Sequence, residues 1–419
     1  MKVGIVGAGL SGLACASRLL MNKDFIVYVF EKDKEVGGLA GYVDLDGLKV
    51  TKTYHHVLRS DNFLQDELKR FKIPIWWRKV NIGSFAKSRV YPFNGPLSLL
   101  KFSPLSLRNR LRLGWLVLNA KYTETLRNIT VRDWVCSKAG EKVFKDFVNP
   151  LVSTYFGSSE NICAAYLAKR WGDESVSASN NLGYSNFPKI IDSYVNEINS
   201  SSRGEIYINC RIREICIKGD KAVISFDGRE DTFDAVVVTC PPEEASSILK
   251  GIPAEALSQL KSVKYRACLC LLLRLEQKIS NYYWVNVLDE TIPFVACFEY
   301  GNLNPDLNEG LVYSVAYTDV SSPLWLSDDK KIYEEFISGL EAVFGSVPHV
   351  KSWYLFRSEW GTPIYEVGYK NVEINPHPRL YFAGVYRAFP EIRSSGPAIR
   401  TGVEAAQKII KDARGKKLG

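Results

Sequence analysis

The feature that most constrains this chain lies at its start. Lys2 to Val6 is a short run rich in β-branched residues that leads into Gly7, Gly9 and Gly12, spaced G-x-G-x-x-G. A helical run from Leu13 to Met21 follows, then a second apolar run from Phe25 to Phe30 that ends on Glu31. Strand, glycine turn, helix and second strand together form the opening unit of a doubly wound parallel sheet. Gly7 permits the tight turn, and Gly9 lets backbone N–H groups approach a pyrophosphate at the helix N-terminus, beside Leu10 and Ser11. Gly12 lets the helix pack closely on the strand. Glu31 lies 19 residues beyond Gly12, where a carboxylate accepts hydrogen bonds from both hydroxyls of an unphosphorylated ribose. The pattern predicts dinucleotide binding.

A glycine doublet, Gly37-Gly38, comes next in the run EKDKEVGGLAG, flanked by Lys32, Leu39 and Ala40. Here the sequence resembles the FAD-binding glycine-doublet superfamily, which includes amine oxidases, protoporphyrinogen oxidases, phytoene and other carotenoid desaturases, and UDP-galactopyranose mutases. The resemblance implies FAD as cofactor, with the doublet's backbone beside its diphosphate and ring. It continues along most of the chain. Ile212 stands where the family's second FAD segment meets adenine, and Ala235 to Thr239 runs into Cys240-Pro241-Pro242. Arg379 to Gly384 (RLYFAG) is similar to the family's last FAD strand, and Ser394 to Ala406 to the helix after it. The first turn of that helix, with Pro397, Ala398 and Ile399, would face the flavin, its electropositive end stabilising charge on the reduced ring. Leu39 stands where amine oxidases carry Arg, Val385 where many relatives carry an acid, and Pro397 where glycine is frequent. Lys52 to His56, Tyr91-Pro92-Phe93, Tyr155-Phe156-Gly157 and Tyr283 to Asn286 resemble a protoporphyrinogen-oxidase-like branch marked by its "YHH" segment.

The resemblance implies an α/β fold: a Rossmann-type FAD-binding domain from residues 1–50, 183–245 and 355–419, with a discontinuous α+β substrate domain. The substrate domain would have a helical part, 51–182, and a sheet part, 246–354. Asp61 is placed to cap a helix reaching Phe71, and Ser106 to start another reaching about Asn119. Tyr265 to Leu275 and Leu311 to Thr318 read as strands. The junction of the two domains is the expected pocket.

Chemistry-bearing side chains are few. The adjacent His55 and His56 are the catalytic candidates, His56 ahead of His55; on a strand they would point opposite ways, so that only one meets the flavin. Nothing accompanies them at metal-ligand spacing. A flavin enzyme needs no triad, because the cofactor carries the hydride chemistry. Pocket candidates are Tyr54, Tyr184, Trp284, Tyr300, Tyr365, Tyr386 and Arg387, with Arg59 and Arg393 as further holders of an anionic group.

At 419 residues, 46% of them hydrophobic and 12% aromatic, the chain is long and apolar enough for more than one packed core, which excludes a disordered protein. The formal charge of +8 reads as spread along the sequence rather than gathered in a tail, and no nucleic-acid-binding module is present. Nine cysteines, an odd number without C-x-x-C spacing, read as reduced core residues of a cytoplasmic protein. Ser98 to Asn119 mixes leucines with Arg108, Arg110 and Arg112, and reads as a packed amphipathic helix or a peripheral membrane contact. The reading is an FAD-dependent oxidoreductase taking hydride from an organic small molecule, a lipophilic one in the style of protoporphyrinogen oxidases and desaturases. A mutase-like redox-neutral isomerase, an amine oxidase and a catalytically silent flavoprotein are the alternatives.

Overall fold

A computed structural model describes residues 1–176, 181–391 and 393–415. Its first sheet has five parallel strands in the order Leu380–Phe382, Ala235–Val238, Lys2–Val6, Ile26–Phe30 and Gly204–Tyr207. Val3 sits between Ala235 on one side and Val27 on the other. Both faces of this sheet are covered, which is why its central strands Ala235–Val238, Lys2–Val6 and Ile26–Phe30 are largely apolar runs rather than alternating ones. Helices Leu10–Leu20, Phe187–Asn199 and Ser395–Arg414 pack their buried residues on one face. The antiparallel strands Ile212–Lys218, Lys221–Phe226 and Arg229–Phe233 supply the core of the other.

The second sheet has seven strands, in the order Val350–Pro363, Tyr265–Leu275, Gly310–Thr318, Ala296–Glu299, Trp284–Val287, Ile82–Ala86 and Arg89–Pro92. Helix Asp329–Phe344 packs on one face through Ile332, Phe336 and Leu340. On the other face lie aromatic residues of the sheet and a helical layer running from residue 96 to residue 176.

Local signals held well at the helix starts. Asp61 accepts from Leu64 N at 3.3 Å to cap helix Asn62–Arg70, and Ser106 accepts from Asn109 N at 3.4 Å to cap Leu107–Leu118. Long-range pairing is where the expected boundaries shift. Residues 355–363 belong to the seven-stranded sheet, because Val350–Pro363 pairs along the whole of Tyr265–Leu275. The expected helical part also contributes Ile82–Ala86 and Arg89–Pro92 to that sheet, and Trp76–Lys79 pairs with Asn181–Tyr184.

Candidate active site

One cavity of about 800 Å³ runs from the glycine turn of the parallel sheet to the inner face of the seven-stranded sheet. Its first half is backbone. Gly7, Gly9, Leu10 and Ser11 line it at the helix start, Gly37, Gly38, Leu39 and Ala40 at the doublet, and Gly384 and Ala398 at the far end of the sheet. A Cβ built on Gly9 meets no protein atom within 4 Å, so this residue leaves open space over the helix N-terminus. Gly12 lies behind the turn rather than in the wall. A Cβ there would fall 2.0 Å from Gly7 O, so only glycine lets helix Leu10–Leu20 approach so closely.

Glu31 is buried at the strand end, where it accepts from Ala8 N at 2.8 Å and Asp33 N at 3.1 Å. Burial pushes its carboxyl up, and those two N–H groups work against the shift. Lys32 lines the cavity but is ion-paired with Glu244. Ile212 and Cys240 line the same end, and burial raises the Cys240 thiol. Pro397 and Ile399 are buried in the first turn of helix Ser395–Arg414 and stay out of the wall, whereas Ser394, Ser395 and Ala398 line it.

Both histidines line the cavity, which corrects the expectation of opposite faces. Residues 54–56 form no strand, so the period-2 alternation does not apply. Their surroundings differ. His55 Nε2 lies 3.2 Å from Thr53 Oγ1 and Nδ1 lies 3.2 Å from Ser395 Oγ, so the ring ties the doublet side of the site to the last helix. It also stacks on Phe187. His56 Nδ1 lies 3.0 Å from the Tyr283 hydroxyl, and among the described residues Nε2 has no hydrogen-bond partner. Burial is the main cause holding both rings neutral, taking His55 down to about 4 and His56 to about 3.

The second half of the cavity is a chamber of aromatic side chains. Of the pocket candidates, Tyr54, Trp284 and Tyr386 line it, and Tyr54 stacks on Phe298 at 3.8 Å between ring centroids. Tyr184, Tyr300, Tyr365 and Arg387 do not, because packing and hydrogen bonds claim them elsewhere. Tyr300 donates its hydroxyl to His55 O, and Tyr365 donates to Val385 O at 3.2 Å within a cluster with Tyr166, Tyr369 and Phe389. Arg387 donates Nε to Val372 O at 2.8 Å, and Tyr184 packs on Trp76 beside Tyr300.

Sequence reasoning missed Tyr155, Tyr166, Arg170, Cys268 and Tyr317, all of them in the chamber wall. A signal existed for some. Tyr313, Val315 and Tyr317 alternate along strand Gly310–Thr318 and face the helical layer, and Tyr317 pairs with Cys268 across the sheet. Arg393 enters this wall from the loop before the last helix. Its guanidinium donates to the Tyr317 hydroxyl and lies 5.4 Å from that ring's centroid. No carboxylate among the described residues pairs with it.

With that geometry in view, comparison with known proteins is decisive about kinship. The sequence pattern of the flavin containing amine oxidoreductases matches residues 10–410. This chain belongs to that family. Its cofactor is FAD. No curated protein matches the sequence. Solved structures give the same fold at low identity. A protein from Exiguobacterium sp. 255-15, provisionally named a protoporphyrinogen oxidase, aligns at 15% identity and TM-score 0.79 over 99% of both chains. Putrescine oxidase bound to putrescine aligns at 14% identity and TM-score 0.76, over 98% of this chain and 99% of the other. Reduced UDP-galactopyranose mutase aligns at 16% identity and TM-score 0.77, over 100% and 99%.

The cavity's first half fits FAD on its own terms. It offers an open backbone cradle at Gly9, a helix N-terminus for the diphosphate, and the Glu31 carboxylate at the strand end for a ribose.

Proposed function

We propose that the protein is an FAD-dependent oxidoreductase that takes hydride from an organic, largely apolar substrate bearing an anionic group. Arg393 is the observation that carries this reading. A guanidinium shielded among Tyr54, Tyr166, Tyr317 and Cys268, with a tyrosine hydroxyl as its hydrogen-bond acceptor and no carboxylate paired with it among the described residues, is costly unless an anion completes it. Arg170 lines the same chamber, 5.4 Å from the Tyr155 ring centroid.

Bound in the cradle, FAD supplies the two-electron acceptor. The chain's own residues bind, orient and exclude water. Tyr54, Trp284 and Tyr317 offer an apolar slot for the carbon that loses hydride, and close positioning accounts for much of the rate in such a transfer. His56, held neutral, is too weak a base to drive proton removal; its Nε2 is placed to orient a polar group of the substrate. Arg393 and Arg170 would fix the anionic end and set the register of the substrate along the chamber.

The test is an anaerobic one. Purified holoprotein is mixed with host metabolites separated by ion exchange into anionic, neutral and cationic pools, and the oxidised flavin band is followed. Bleaching by the anionic pool, at a concentration raised about tenfold or more in Arg393→Gln, supports the reading. Bleaching confined to the cationic pool overturns it.

The two arginines also favour a second reading. A pair of guanidinium groups in one chamber suits the diphosphate of a nucleotide sugar, and a structural neighbour is UDP-galactopyranose mutase. Turnover of UDP-galactopyranose by the pre-reduced protein, with no net oxidation, would establish this reading in place of the first.

A further inference from the structure

Helix Leu107–Leu118 carries a surface that the redox site does not use. It turns Asn109, Leu113 and Leu116 inward. Its outward face is apolar as well: Leu107, Leu111, Trp115 and Leu118 are 59, 58, 53 and 65% exposed. These positions recur at helical spacing and make one stripe, which Leu97 and Leu100 in the preceding segment extend. An outward stripe of this length is the reverse of the ordinary amphipathic pattern and marks an interaction surface.

Charge sharpens the inference and corrects the expectation that the positive excess is evenly spread. From Leu68 to Thr123 the sequence contains no Asp or Glu and 12 Lys or Arg residues. That segment therefore carries +12, against +8 for the whole chain, and the remainder sums to −4. Around the stripe Lys101, Arg108, Arg112 and Lys121 are exposed, and none has a carboxylate partner among the described residues. Three acids of the neighbouring segments are already ion-paired: Glu124 with Arg127, Glu141 with Arg132, and Asp146 with Lys142.

We propose that this face docks the protein on an anionic lipid bilayer. Helix Leu107–Leu118 would lie in the interfacial plane, with Leu111 and Trp115 among the acyl chains and Arg108 and Arg112 at the phosphates. Two copies of the chain meeting through this face would oppose two acid-free basic segments, and a nucleic acid would find an apolar centre where it needs charge. Helix Ala164–Val176, which brings Tyr166 and Arg170 to the chamber wall, packs against helix Leu107–Leu118. The helix that carries the docking face thus packs on a helix of the chamber wall. The proposal stands on the surface alone and does not need the redox reading to be right.

Sedimentation of the full-length holoprotein with vesicles tests it. Vesicles of phosphatidylcholine mixed with phosphatidylglycerol should bind the protein, vesicles of phosphatidylcholine alone should bind it much less, and added salt should weaken the former. The double variant Leu111→Gln/Trp115→Gln should lose about tenfold or more in binding, and Arg108→Gln/Arg112→Gln should lose the preference for the anionic lipid. Unchanged bound flavin in each variant shows that the fold is intact. Equal binding to both vesicle types, or binding unchanged in both variants, overturns the proposal. So does a dimer in solution that the same variants abolish, since the face would then serve a second copy.

Discussion

The two halves of the cavity are built by different rules. The FAD half is made by backbone: a glycine turn, a glycine doublet and the start of a long helix, each a contiguous run of sequence. The chamber is made by side chains gathered from helices, loops and strands that lie up to 339 residues apart, as Tyr54 and Arg393 do. Backbone sites tolerate little, because a single Cβ closes them; side-chain sites can be retuned one residue at a time. A family built this way keeps one cofactor while its substrates differ.

The largest effect that would break this contrast is at Gly12. Gly12→Val puts a branched side chain where Gly7 O stands 2.0 Å from a bare Cβ, and bound flavin should fall below about a tenth of wild type. Release and quantitation of the flavin from purified protein measures it. Full occupancy would mean that the turn is not the cradle. In the chamber, Arg393→Gln should instead leave the flavin bound and raise KM for the anionic donor about tenfold or more. An unchanged KM with a lowered flavin midpoint potential would assign Arg393 to the cofactor and not to the substrate.

Smaller effects separate the two histidines. His55→Ala removes hydrogen bonds to Thr53 and Ser395 and should lower stability by about 1–3 kcal/mol, read by urea denaturation, with flavin affinity falling in step. His56→Gln should spare flavin binding and reduce kcat/KM. If His55→Ala left flavin affinity intact while His56→Gln abolished it, the assignments would be reversed.

The smallest effect is a slope with pH. The unfolded chain protonates its histidines near 6.5, whereas folded His55 and His56 resist until about 4 and 3. Between about 6.5 and 4 the unfolded state binds more protons at these sites, so their contribution to stability is lost as pH falls through that window. Asp61 acts in the opposite sense, since burial raises its carboxyl from 3.8 to about 6 and the folded state protonates first. Glu31 and Glu299, whose carboxyls burial also raises, act with Asp61, whereas His377 and the carboxylates of Glu35, Asp234 and Glu309, all held low, act with His55 and His56, so the melting temperature should fall as the solution is acidified below 6.5. His56→Gln should flatten that fall, and a variant that kept the full slope would show that other groups cause it.

The same division explains what could be read from the sequence. The cradle was legible because its chemistry is local: Gly7, Gly9, Glu31 and Gly38 declare themselves by spacing, and the caps Asp61 and Ser106 by residue type. The chamber was only half legible. Tyr54 and Trp284 sit beside recognisable segments, but Tyr155, Arg170 and Tyr317 reach the cavity only through the pairing of distant strands and the packing of helices on them. Tyr300 and Tyr365 carried the right residue type and were claimed by hydrogen bonds to His55 O and Val385 O. The outward turn of Leu111 and Trp115 was likewise beyond periodicity, which locates an apolar stripe and not its partner.

The most direct test is the visible spectrum of the purified protein under anaerobic conditions, before and after the anionic metabolite pool is added. The account predicts a bound, oxidised flavin that this pool bleaches in the wild type and that Arg393→Gln protects. A protein purified without flavin and unable to take it up, or a flavin that no metabolite pool reduces, would contradict it.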